Sequence, residues 1–134
     1  MSKSLFSDRQ RAFLETPRIG RLATLRRDGS PHIAPVWFAF EDGAFLVLTD
    51  RGSRKHRNIE RDPRAEFCID DERPPYHTVI VRGRVSVEQP RGPEWREALA
   101  VRYLGPEGGR RYVETTPAGD EVLLRIEPER VSGW

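Results

Sequence analysis

A single cysteine and three histidines are all that the 134 residues offer of those types. One cysteine excludes an intrachain disulfide framework and fits a reducing, cytoplasmic setting. Cys68 lies in the apolar run Phe67-Cys68-Ile69 and reads as a buried core thiol. His32, His56 and His77 have no spacing that would complete a metal site, so none is expected. His32 reads as a barrel side chain and His56 as a surface residue beside a cluster of cations. The chain also lacks a Gly-x-Ser-x-Gly elbow, a Walker loop and a Rossmann glycine fingerprint. No apolar stretch is long enough to cross a bilayer, and Met1–Ser7 has no signal-peptide core. Charged residues make up 33% of the chain but nearly cancel, to a net charge of +2. Acidic residues are interspersed with the arginines throughout, which argues against a nucleic-acid-binding barrel. An enzyme with so few catalytic side chains leaves the demanding chemistry to a cofactor.

What is present is mainly strand. Ser7-Asp-Arg-Gln10 has the form of a capping box opening a helix to about Glu15. Segments 19–27 and 32–40 read as strands joined by the Arg27-Asp-Gly-Ser30 hairpin, and Glu41-Asp-Gly43 turns into a third at 45–49. These three are expected to form an antiparallel meander. A helix from Ser53 to about Arg61 stops at Asp62-Pro63. Strands follow at 65–70 and 78–88, the latter alternating cleanly, with Gly83 marking a bulge or a close backbone approach. A helix with Trp95, Leu99 and Tyr103 on one face ends at Gly105-Pro106, and a last strand covers 121–126. The expectation is one domain over 1–134, mainly β with short helices, closed as a six-stranded antiparallel barrel.

The segment Thr49-Asp-Arg-Gly-Ser53-Arg54-Lys55 is the most informative. Ser53 is a good N-cap, which puts Arg54 and Lys55 in the first helical turn. The helix macrodipole is already positive there and favours anions. Free backbone N–H groups, the Ser53 hydroxyl and two cations would converge on a phosphate. The alternative is a solvated basic helix start.

The ordered set Asp28-Gly29, Pro35-Val-Trp37-Phe38, Thr49, Ser53-Arg54-Lys55, Asn58, Asp62-Pro63-Arg64 and Tyr76…Val81-Arg-Gly83 resembles the split β-barrel flavin and deazaflavin oxidoreductases, which include pyridoxamine 5′-phosphate oxidase. The resemblance runs from about residue 8 to the C-terminus. It implies an FMN-binding-protein-like split barrel, a homodimer, and two cofactors in grooves at the interface. By the same resemblance Ser53, Arg54 and Lys55 hold the cofactor phosphate, Pro35, Val36 and Trp37 run beside the ring, and Thr49 sits where strand meets phosphate loop. Thr78 falls where the oxidase branch tends to carry glutamine. Asn58 is either a ligand or an orienter of the loop, and Trp37 either lines the groove or joins the core. Arg51, Arg54, Lys55, Arg57, Arg61 and Arg64 in one segment favour the deazaflavin F-420, whose tail is polyanionic, with FMN as the alternative. The implied reaction is hydride transfer between F-420 and a small unsaturated substrate, the proton coming from solvent or from a tyrosine such as Tyr76. The alternatives are an FMN-binding pyridoxamine 5′-phosphate oxidase-like protein and a non-catalytic flavin carrier. No arginine-rich substrate motif of the true oxidases is evident near Arg125–Trp134.

Overall fold

The computed structural model describes residues 5–134, so part of the N-terminal stretch read above for a leader lies outside it. The element order is α1 (Asp8–Leu14), β1 (Gly20–Leu25), β2 (Pro31–Val36), β3 (Ala39–Glu41), β4 (Ala44–Asp50), α2 (Arg54–Arg61), β5 (Arg64–Asp70), β6 (Thr78–Glu88), α3 (Pro93–Thr115) and β7 (Glu121–Gly133). Among the described residues there are seven strands rather than six, because the expected strand over 32–40 breaks at Trp37-Phe38 into β2 and β3.

That break also overturns the three-strand meander. The sheet runs β2-β1-β5-β6-β7-β4-β3, so β2 and β3 sit at its opposite edges. Only two residues, Trp37 and Phe38, separate them. Two residues of extended chain span no more than about 11 Å between flanking Cα atoms. The sheet must therefore curl until its edges meet, and every strand pairing along it is antiparallel. The result is the expected barrel, closed by covalent continuity rather than by a last ladder.

Local chemistry explains the connections. Gly29, at φ +86°, donates its N–H to the Arg26 carbonyl, and the Asp28 carboxylate accepts from the Ser30 N–H at 3.0 Å. Asp42 and Gly43 both have positive φ, 52° and 76°, as a tight turn twisted to match its strands requires. Ser7 and Gln10 complete the capping box of α1. Gly105, at φ 81°, interrupts α3 where the sequence placed its end, and a second helical piece follows to Thr115.

Phe38, Phe45 and Phe67 pack edge to face at the barrel centre, with ring centroids 5.1 to 5.5 Å apart. Leu22, Val47, Ile69, Val79, Val81, Val122, Leu124 and Ile126 fill in around them. β4 is apolar on both faces because Leu46 is also fully buried, outside this core, as are Leu123 of β7 and Ala100 of α3. The last strand is longer than the expected 121–126: β7 pairs with β4 through its first half and with β6 along most of its length. Cys68 is half-buried rather than in the core.

Gly83 marks a bulge, as its place in β6 suggested. The register shifts between Arg82 and Gly83, and a Cβ on Gly83 would stand 2.2 Å from the Glu127 carbonyl oxygen. Gly83→Ala should therefore destabilise the fold by about 1–3 kcal/mol, read as a lowered midpoint in urea at unchanged m-value. An unshifted midpoint would mean that β7 yields at no cost.

Candidate functional site

The start of α2 is held from three directions. Ser53 is its N-cap, accepting from the His56 N–H at 3.3 Å, and its hydroxyl lies 2.9 Å from that of Thr49. Gly52, at φ +82°, donates its N–H to His56 Nδ1 at 2.8 Å. His56 is thus a buried anchor of the turn, not a surface residue, and accepting at Nδ1 places its proton on Nε2, 3.4 Å from Glu60 Oε1. Asn58 is also fully buried; its amide nitrogen donates to Thr24 at 3.0 Å and its oxygen accepts from Arg61. Those bonds fasten α2 to β1.

The six cations of this segment divide into two groups. Arg51 is paired with Asp120 at 3.0 Å and Arg64 with Asp62 at 2.8 Å, while Arg61 bonds the Leu25 carbonyl. Arg54, Lys55 and Arg57 make no hydrogen bond or ion pair from their side chains among the described residues. Arg27, Arg54, Arg57, Glu60 and Arg61 line a cleft of about 420 Å³, four cations against one carboxylate. Lys55 is half-buried, and burial pushes its ammonium below the usual lysine range, with the Asp50 charge opposing. Burial, and then the charges of Arg26, Lys55 and Arg54, push the His32 imidazole below the usual histidine range, and its Nδ1 has no hydrogen-bond partner among the described residues. A desolvated, unpaired lysine at a helix N-terminus, with free N–H groups beside it, is arranged to receive an anion.

Lys55 also lines a second cavity, of about 240 Å³, with Pro35, Val36, Trp37, Leu48, Arg96, Leu99, Tyr112 and Glu121. The fold therefore brings Pro35, Val36, Trp37 and Lys55 together, with Thr49, Ser53 and Arg54 adjoining in the chain. Thr78 does not line this cavity; it is buried at the start of β6, exchanging backbone hydrogen bonds with Trp134. Trp37 is half-buried and stacks on Tyr103, with centroids 5.0 Å apart and planes within 4°, rather than joining the core. Tyr103 clamps the backbone beside it, accepting from the Phe38 N–H at 2.9 Å and donating to the Arg18 carbonyl at 2.8 Å. Tyr76 is 54% exposed and lies outside the cavity.

Sequence reasoning missed Leu48, Arg96, Leu99, Tyr112 and Glu121 as cavity residues. The half-exposed Leu48 on an otherwise buried strand is the one local hint, since an uninterrupted apolar strand implies a cover on its second face. Arg96 and Tyr112 are brought in by α3 from far along the chain and carry no local signal. β2 ends the sheet order, so one of its backbone edges has no strand partner among the described residues and can meet a ligand.

The curled seven-stranded sheet is the split β-barrel fold. The chain belongs to the pyridoxamine 5′-phosphate oxidase family, whose profile matches residues 6–134. It is 31% identical over 136 residues to a 5a,11a-dehydrotetracycline/5a,11a-dehydrooxytetracycline reductase of Streptomyces rimosus, covering 96% of this chain and 82% of that one. It is also 31% identical, over 130 residues, to an F420H(2)-dependent biliverdin reductase of Mycobacterium tuberculosis, covering 95% and 87%. A solved F420 reductase superposes with a TM-score of 0.73 at 28% identity, covering 90% of this chain and 94% of that one. No helix among the described residues is long and apolar enough to cross a membrane.

Two substitutions separate positioning from binding here. Asn58→Ala strands the buried Thr24 hydroxyl and should cost about 1–3 kcal/mol of stability. Lys55→Ala removes a desolvated charge and should leave the thermal midpoint unchanged or higher. An anion favours the protonated form of Lys55, so sulfate affinity should fall as pH rises through the lowered lysine pKa, a dependence absent from Lys55→Ala. Isothermal titration across pH checks the sign.

Proposed function

We propose that the protein is an F-420-dependent oxidoreductase that transfers hydride to a small unsaturated substrate, acting as a homodimer. The observation that carries this is the unpaired, desolvated Lys55, which belongs at once to the anion-receiving start of α2 and to the cavity walled by Pro35, Val36 and Trp37. A cofactor with a phosphate and a flat ring would span both. Ser53, Arg54 and Lys55 would hold the phosphate, and the open edge of β2 would face the ring. The cationic cleft of Arg27, Arg54, Arg57 and Arg61 includes Arg54 of the phosphate turn and fits the polyanionic tail of F-420 better than FMN, whose charge ends at its phosphate. Family membership and the likeness to F-420-dependent reductases support the same reading.

When bound, the deazaflavin supplies the hydride; the protein binds, orients and excludes water. Thr49 and Ser53 hold the phosphate turn, with Asn58 fixing the helix behind it. Trp37, pinned between Tyr103 and Tyr112, walls the cavity. At about 240 Å³ the cavity is below the roughly 300–1,000 Å³ typical of sites for ligands of this size. That deficit, and Thr78 lying outside, support a second copy that completes the site.

Fluorescence-monitored titration with F-420 and with FMN tests the reading. Preferential F-420 binding is expected, weakened roughly 10- to 100-fold or more in the Arg54→Ala/Lys55→Ala variant. Preference for FMN would move the protein to the flavin branch, and binding of neither would return the start of α2 to a solvated basic surface.

A further inference from the structure

The second helical piece of α3, residues 106–115, is tied to the rest of the molecule by little. Gly105, at φ 81°, precedes it, and the exposed run Thr116-Pro117-Ala118-Gly119 follows it before β7. Each joint holds a glycine, about which the backbone turns without a side chain in the way. The polar side chains of the piece bond within it: Glu107 faces Arg111 at 3.7 Å, Arg110 donates to the Pro106 carbonyl and Thr115 to the Arg111 carbonyl. Among the described residues, no side chain of 106–115 makes a hydrogen bond or ion pair outside the piece. Gly109 is its one buried residue, and it leans on Val101 so closely that a Cβ would stand 2.6 Å from the Val101 nitrogen. Beyond that contact, two residues hold the piece down. Arg96 Nη2 donates to the Thr116 carbonyl at 2.7 Å, with its guanidinium 5.6 Å from the Tyr112 ring centre, and Trp37 meets the same ring at 5.2 Å. Residues 106–119 also supply walls to two cavities that share Leu48, Arg96 and Glu121: Tyr112 to the one of about 240 Å³ at Trp37, and Val113, Ala118 and Gly119 to another of about 500 Å³.

We propose that residues 106–119 are a strap that closes over this site, latched by Arg96 at the Thr116 carbonyl and carrying Tyr112 as its gate. Released from Arg96, the strap swings about Gly105 and Gly119, lifts Tyr112 from Trp37 and joins the two cavities into one groove at Leu48. A flat ligand enters against Trp37, and the strap returns over it, so that Tyr112 keeps water from the bound molecule. Glu121, 3.6 Å from Arg96 Nε, stays behind at the start of β7 and keeps the guanidinium in place for reclosure. The latch is a single charge-assisted hydrogen bond beside one ring contact, so the strap opens far more readily than the sheet unfolds. Which ligand it closes on rests on the proposed cofactor reading; the opening itself does not.

Amide hydrogen exchange of the ligand-free protein at low, non-denaturing urea reads the opening directly. Amides of 107–115 should exchange together and faster than those of β4 and β6. Their rates should be nearly independent of urea, because a local opening exposes little surface, whereas the sheet amides should follow the full m-value of unfolding. Arg96→Met should speed the strap amides roughly 10- to 100-fold, as for loss of one charged hydrogen bond, and Arg96→Lys should recover part of the protection. In a Trp95→Phe/Trp134→Phe background, where Trp37 alone fluoresces, Arg96→Met should also raise quenching by acrylamide. Stopped-flow binding of F-420 supplies the last arm. Unlatching should raise the association and dissociation rates together, so that Kd moves much less than either rate. Strap amides that share the urea dependence of the sheet would overturn the proposal, as would Trp37 quenching unchanged in Arg96→Met. A rise in dissociation alone would make Arg96 a ligand of the bound molecule instead of a latch, and would overturn it too. If F-420 does not bind at all, the cofactor reading fails, while exchange and quenching in the ligand-free protein still decide the strap.

Discussion

The two residues Trp37 and Phe38 join strands that lie on opposite edges of one sheet, and this short tether governs the rest of the molecule. A flat seven-stranded sheet cannot satisfy it; a curled one can. Curling puts the aromatic cluster of Phe38, Phe45 and Phe67 inside, where edge-to-face packing favours it. It turns Phe38 to the core while Trp37, its neighbour, faces the other way into the cavity. Neither residue has a strand neighbour to satisfy its backbone, and Tyr103 supplies the missing partner by accepting from the Phe38 N–H and approaching the Phe38 carbonyl at 3.1 Å. α3 is thereby tied to the closure point, and its side chains become part of the site.

The anion-receiving turn has a different logic. Four residues, Thr49, Gly52, Ser53 and His56, bond one another so that the start of α2 is rigid before any ligand arrives. Rigidity of this kind reduces the ordering cost of binding. Lys55 stands beside this frame with its charge partly desolvated and unpaired, an arrangement unfavourable for folding in isolation. Such local conflict is expected where structure serves binding rather than stability. Trapping the flanking cations Arg51 and Arg64 in ion pairs leaves the positive field concentrated on Arg54, Lys55 and Arg57.

Much of this was readable from residues. Ser7 and Ser53 cap helices as their spacing implied, Gly83 marks a bulge, and the Asp28-Gly29 and Asp42-Gly43 turns fall as written. Each depends on one or two residues whose backbone or hydrogen-bonding chemistry acts locally. The errors share a different cause. The strand over 32–40 looked continuous because periodicity does not show that its halves pair with different partners. β7 extends past Ile126 because β6 offers it a ladder, which its own polar second half does not advertise. His56 looked like a surface residue because its burial depends on the acceptor role that Gly52 assigns it.

The sequence by itself determined the strand-rich class, the local turns and caps, and the grouping of Ser53, Arg54 and Lys55 at a helix start, all set by interactions within a few residues. Tertiary structure decided which cations are free, that Asn58 faces inward to Thr24, and that Arg96 and Tyr112 share a cavity with Trp37 from far along the chain. Those outcomes follow from sheet closure and charge pairing between distant segments, and an energy shared between distant residues leaves no mark on either one alone.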